Sequence, residues 1–309
     1  MFDTTIRTII PILLLIGTGF LSRKLKILTS GDERVLSTYV YYFALPALLF
    51  INMAETEFTE AKLRFMLAAA IPILVALAIY ITLYLIIGFS KNFLYLLILS
   101  TIFGSIAFFG IPFITFAFPD EGESVATLAT VSISILSVSI SILTLELYKL
   151  GQTKLRTALK LVARRLLKNP LIISIFAGIL FSIISIQIPN FIAEPLHMLG
   201  STTSTVAIFM LGVFLYGRKY TNIVQAVKLS LLRIVFLPTI ALLTLMLFEV
   251  SIIERSSIIL MHGMPVAISM IILSERYDFY KETIASLILI MSLAGGAYLN
   301  LWLLLLGHY

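Results

Sequence analysis

Two apolar stretches of this chain are interrupted by proline and glycine at comparable depths. The first reads Gly104-Ser105-Ile106-Ala107-Phe108-Phe109-Gly110-Ile111-Pro112 and the second His262-Gly263-Met264-Pro265. A proline inside a helix removes a backbone donor and collides with the preceding turn. Carbonyls before such a break and amides after it become free to bind something. The half-helix that follows turns a partly positive end toward anions. The competing account is a simple kink packed by neighbouring helices. Two breaks in matching places favour a binding site. Ser105 and Ser269 are the nearest small polar side chains, able to donate to a carboxylate or to bond their own helix backbone. His262 stands three residues before Pro265. It could relay protons, pair with an anion, or stay neutral in a packed interface. The candidate substrate-binding crossover is therefore Gly104, Ser105, Phe109, Gly110, Pro112, His262, Gly263, Met264, Pro265 and Ser269.

Other chemistry has too few players. There is no cysteine, which excludes disulfides, thiolate metal sites and cysteine nucleophiles. No His-Glu-x-x-His and no Gly-x-Ser-x-Gly pattern occurs, so neither a zinc hydrolase nor a nucleophile elbow is expected. No enzyme activity, cofactor or metal is expected. Glu146 is the main acidic residue inside an apolar run, and Lys149 three positions on makes an interfacial ion pair its expected role. Cation carriers and proton pumps place carboxylates deep in the bundle, so cation transport is disfavoured.

The elements that hold the crossover must lie in lipid. The 309 residues are 60% hydrophobic and 12% charged, with a mean hydropathy of +1.07; a soluble domain carries about 25% charged residues. A spanning helix needs roughly 20 apolar residues. Ten segments qualify, near 6–22, 34–53, 64–89, 92–118, 124–147, 170–187, 195–216, 228–249, 255–274 and 282–306. The first is followed by Arg23, Lys24 and Lys26 without a small-residue cleavage pattern, and reads as a membrane helix rather than a cleaved signal. Ser30 and Asp32 are expected to cap the second segment, and Asn169-Pro170 opens the sixth in the cap-then-proline order.

Charge sets the orientation. With the N-terminus outside, 18 of the 22 Lys and Arg residues fall on the cytoplasmic side, Arg233 counted among them; Arg7, Lys62, Arg64 and Arg255 remain outside. Such a bias orients membrane proteins. It places both termini on the non-cytoplasmic side of the cell (inner) membrane. It also accounts for the net charge of +6 without a nucleic-acid partner. Residues 151–169 form a basic connector, amphipathic over 154–168 and suited to an anionic leaflet. It separates two five-helix repeats, 1–150 and 170–309. An odd number of helices per repeat inverts the second relative to the first. Prolines follow the repeat: Pro11 and Pro170 open the first segments, Pro72 matches Pro238, and Pro112 matches Pro265, while Pro46 has no partner.

Four stretches in order resemble the auxin efflux carrier family of membrane transporters, as a prokaryotic-type member. They are Tyr42-Phe43-Ala44-Leu45-Pro46-Ala47-Leu48-Leu49-Phe50, Gly104 to Pro112, Asn169-Pro170-Leu171-Ile172-Ile173, and Met264-Pro265-Val266-Ala267 with Ser274-Glu275-Arg276-Tyr277. The resemblance implies an all-α membrane protein of ten transmembrane helices in a 5+5 inverted repeat, like the bile-acid:sodium symporter fold, with broken crossover helices 4 and 9. It implies a scaffold of helices 1, 2, 6 and 7 that often dimerises, and a moving core of helices 3–5 and 8–10. Characterised members export organic anions such as auxin, malate or malonate. Ser105, Ala107, Val266 and Ser269 stand where the family commonly has Asn, Gly, Pro and Asn. That less polar crossover points to a larger or more apolar carboxylate packed against Phe108, Phe109 and Met264. The expected function is alternating-access transport of a small organic anion, in the export direction. The alternatives are a sodium-coupled organic-anion importer and a non-transporting membrane receptor on the same fold.

Overall fold

The computed structural model describes residues 2–150, 160, 163–164, 167–217 and 220–308. The amphipathic connector lies mostly outside the described residues. The chain is an all-α membrane protein. Among the described residues the only extended pairing is a single antiparallel bridge, Gly104 with Val266. Among the described residues six helical stretches are long and apolar enough to cross a bilayer: Asp32–Ala54, Glu60–Ile87, Gly122–Lys149, Asn190–Leu215, Ile223–Leu247 and Lys281–Leu305.

In chain order the helices are α1 (Phe2–Lys24), α2 (Asp32–Tyr39), α3 (Leu45–Ala54), α4 (Glu60–Ile87), α5 (Lys91–Ile102), α6 (Ile111–Ala117) and α7 (Gly122–Leu150). They continue with α8 (Pro170–Ile183), α9 (Asn190–Leu215), α10 (Ile223–Thr244), α11 (Ile252–Gly263), α12 (Ser269–Tyr277) and α13 (Lys281–Leu305). A π-helical turn, Val40–Ala44, joins α2 to α3, and a second, Ile106–Gly110, leads into α6.

Local chemistry explains most of the boundaries. The Asn169 side chain accepts from the Leu171 amide at 2.9 Å, with Pro170 at the first helical position. That is the expected opening of α8. Ser251 and Glu254 form a reciprocal capping box on α11. Three expectations change. Pro11 lies inside α1 rather than at its start. Neither Ser30 nor Asp32 caps α2: Gly31 occupies the cap in a left-handed conformation, and the Asp32 carboxylate accepts from the Thr29 amide at 2.6 Å. Finally, α10 begins at Ile223 rather than 228. That shift moves Arg233 from near a helix end to the helix middle.

The helices fall into two packed groups. In one, α1, α3, α8 and α9 lie against each other. Their backbones meet at small residues: Gly19 lies against the Phe209 carbonyl, Gly212 against the Ile16 carbonyl, and Gly178 against the Phe50 carbonyl. Close approach through small residues is how apolar helices associate where lipid offers no hydrophobic drive. In the other group α10 is central, packed on α4, α5, α11 and α13, while α7 packs on α4, α5, α6 and α11.

Side chains from other helices bond carbonyls beside the prolines inside this second group. Pro238 lacks the amide that would bond the Ile234 carbonyl, and the Trp302 indole donates to that oxygen at 2.9 Å. In α4 Pro72 leaves the Ala68 carbonyl without its amide, and His262 bonds the next carbonyl, that of Ala69, at 2.9 Å. In a medium without water each freed carbonyl needs such a donor.

Candidate functional site

The two interrupted stretches meet each other. Helix α5 ends at Ile102 and α11 ends at Gly263, and short non-helical segments follow both. The Ser105 amide donates to the Pro265 carbonyl at 2.7 Å, and the Ala267 amide donates to the Phe103 carbonyl at 3.0 Å. Each break thus answers backbone groups that the other leaves open.

Pro265 makes its break directly. The residue before a proline is pushed out of the α region, and Met264 sits at φ −58°, ψ 149°. Pro112 does not break its helix. The interruption lies at Phe103–Ser105, and Pro112 is buried inside α6 beyond the π-helical turn. There the Gly110 amide reaches back to the Ser105 carbonyl at 3.0 Å. The wider turn absorbs the lost donor, which is one reason π-turns occur beside irregular backbone.

Two of the remaining carbonyls at the helix ends, one from each, converge on Arg233, a residue that the charge count places on the cytoplasmic side. Arg233 projects from the middle of α10 and is 1% exposed. Its Nε donates to the Met264 carbonyl at 2.6 Å, and its Nη1 donates to the Thr101 carbonyl. The Tyr298 hydroxyl donates to the Gly263 carbonyl at 2.9 Å. Every described carbonyl from Thr101 to Phe103 and from Gly263 to Pro265 has a donor, the Ile102 oxygen from the Gly104 amide at 3.1 Å. A helix C-terminus carries roughly half a negative charge. Two such ends amount to about one, which a single guanidinium matches.

The site also has unused polar capacity. Among the described residues no hydrogen bond is made by Arg233 Nη2 and no carboxylate pairs with Arg233. Nη2 sits where a side chain on Gly104 would be, so the glycine is what lets the guanidinium pass. Ser105 is 6% exposed, and among the described residues neither its hydroxyl nor that of Ser269, the first residue of α12, has a hydrogen-bond partner.

The other sequence-derived residues divide. Phe109 and Gly110 are buried beside the breaks: the Phe109 ring lies over Gly295 of α13, and Gly110 faces the Met261 and Met264 side chains. His262 is 1% exposed and bonds the Ala69 carbonyl in α4. A carbonyl only accepts, so Nε2 carries the proton in that bond. Glu146 is buried and accepts from the Tyr277 hydroxyl, while the Lys149 ammonium lies 5.6 Å from the centre of the Tyr277 ring. No cluster of metal-ligating side chains occurs among the described residues. Arg233 is the residue that sequence reasoning passed over. Its signal was a lone cation between Leu231-Leu232 and Ile234-Val235.

The sequence profile described as membrane transport protein matches residues 4–302. An uncharacterised transporter of Methanocaldococcus jannaschii is 25% identical over 304 residues, covering 95% of this chain and 96% of that one. The uncharacterised transporter YfdV of Escherichia coli is 22% identical over 292 residues, covering 92% and 91%. The lysosomal cholesterol signaling protein of Mus musculus is 26% identical over 312 residues, covering 93% of this chain and 36% of its own length.

Proposed function

Because the chain belongs to the membrane transport protein family, that of the auxin efflux carriers, we propose that it moves a small organic anion of the carboxylate class by alternating access. The observation that carries this reading is a buried guanidinium, free of any carboxylate among the described residues, at the meeting point of two interrupted helices. A substrate carboxylate would take the free Arg233 edge and the Ser105 and Ser269 hydroxyls. Phe109 and Met264 would pack its apolar part.

In this reading α1, α2–α3, α4, α5–α6 and α7 form one repeat, and α8, α9, α10, α11–α12 and α13 form its inverted partner. The group of α1, α3, α8 and α9 is the scaffold, and through it a homodimer would form. The group around α10 and α7 is the core that rocks. Both termini face outside the cell membrane. Export is the favoured direction, since an inside-negative potential supplies about 2.3 kcal/mol per charge per 100 mV to a leaving anion.

The test is flux of labelled mono- and dicarboxylates from proteoliposomes. Pro265→Ala restores an amide and lets α11 continue, so it is expected to slow flux at least tenfold, equivalent to about 1.4 kcal/mol on the barrier. Pro112→Ala lies past the interruption and is expected to change flux far less. Equal, small effects of the two substitutions would remove the crossing from the transport path. Carboxylate binding without flux would move the chain to the receptor reading.

A further inference from the structure

We infer that Arg233 is a resident cation standing where a coupling ion would otherwise bind, so that the carrier works without sodium. The inference rests on the transport reading of the crossing and adds that no coupling cation binds there. In carriers with interrupted membrane helices, unwound carbonyls and the C-terminal ends of half-helices form the site for a coupling cation. Here the C-terminal ends of α5 and α11 converge, and their Thr101 and Met264 carbonyls both point at one guanidinium. Each end contributes about half a negative charge, so a single fixed positive charge satisfies the pair. A free monovalent cation would find neither the oxygens nor the space.

Two further features fit a built-in ion. Gly104 supplies the gap that Nη2 fills, and no larger residue would leave it. The Gly263 carbonyl, the other oxygen in reach of the α11 end, is already held by the Tyr298 hydroxyl at 2.9 Å. Nor does any carboxylate among the described residues pair with Arg233, so the charge is held by backbone dipoles alone, as a bound sodium ion would be. The Tyr80 and Tyr298 phenols and the His262 ring are titratable groups that interact with it.

The proposal predicts what removal of the side chain creates. Truncation leaves two buried carbonyls and the negative ends of two helices around a vacated cavity, which is a site for a small hard cation. The experiment is thermal unfolding of the purified full chain in sodium, lithium, potassium or choline chloride at constant ionic strength. A cation that binds only the folded state raises the midpoint. Wild type is expected to unfold at the same temperature in all four salts. Arg233→Ala is expected to gain several degrees in sodium over choline. Arg233→Gln keeps a donor for one carbonyl while losing the charge; it should show the same sodium response and covers the case in which the alanine variant does not fold. Arg233→Lys retains a cation and should stay indifferent. Sodium-specific stabilisation of wild type, or variants lacking the charge that ignore sodium, would overturn the proposal. Because the readout is ion binding, it is separate from carboxylate flux: absent flux sinks the transport reading, and a sodium-responsive wild type sinks this one.

Discussion

Replacing Arg233 by methionine is expected to abolish carboxylate transport while leaving a folded protein. The two consequences have different sizes. Methionine fills a similar volume and takes a charge out of an apolar interior, which removes a desolvation cost of several kcal/mol. Against that, the Thr101 and Met264 carbonyls lose their donors, at about 1–3 kcal/mol for each buried group left unpaired. These effects oppose each other, so the unfolding midpoint should move modestly. Function has no such compensation. A charge-assisted hydrogen bond contributes about 1.5–3 kcal/mol, so losing the guanidinium should weaken carboxylate binding by roughly 10- to 100-fold. It also unpins the two helix ends whose alignment makes the site. Arg233→Lys should be intermediate, because an ammonium keeps the charge without the fork that spans two carbonyls. Flux and carboxylate-dependent thermal shift, measured on both variants, check this ordering.

Gly104→Val should be nearly as damaging, for a steric reason. A side chain at residue 104 would run into Arg233 Nη2. The guanidinium cannot yield without leaving the Met264 and Thr101 carbonyls, and the interruption cannot shift without breaking the Ser105–Pro265 and Ala267–Phe103 hydrogen bonds. Overpacking a well-filled core costs about 1–3 kcal/mol even without such losses. The decisive comparison is a double-mutant cycle. Once Arg233 is methionine, Gly104→Val no longer opposes a fixed charge and should cost much less. The coupling between the two sites is expected at about 1–3 kcal/mol of unfolding free energy. Additive effects would mean that Gly104 and Arg233 act independently.

Particular residues show what was legible in the sequence. Pro265 marked its interruption to the residue, because a proline acts on the turn just before it and α11 stops there. Pro112 pointed to the correct stretch but the wrong place. Its lost donor is absorbed by a π-helical turn, and the chain departs from helix at Phe103–Ser105, where no proline stands. Nothing local marks that position except Gly104, whose role depends on a side chain 129 positions away in the chain. Pro72 and Pro238 were visible as a matched pair, but the donors that answer their turns, His262 and Trp302, were not. Long-range partners are set by packing, and a pattern of types and spacing does not encode them.

Arg233 is the instructive miss. The positive-inside rule treats each cation as a marker of the membrane surface, and a segment begun at residue 228 put Arg233 close enough to an edge to count. With α10 beginning at Ile223, the same residue lies three turns inside a helix. A charge at that depth marks a functional site by default. The membrane class, the all-α fold and the family were readable from composition and four short motifs. The cation at the centre of the site was readable only once the helix start was known.

The central claim is that the crossing of the two interrupted helices is the substrate site and opens to each side of the membrane in turn. The chain has no cysteine, so a single introduced thiol reports on one place. Ser105→Cys puts that thiol in the buried interrupted segment, next in sequence to the glycine that Arg233 Nη2 lies against. In oriented membranes it should react with a membrane-impermeant thiol reagent applied from either side, more slowly than a loop cysteine. A transported carboxylate should protect it from both directions. A thiol that reacts from one side only, or whose labelling no carboxylate slows, would contradict the account.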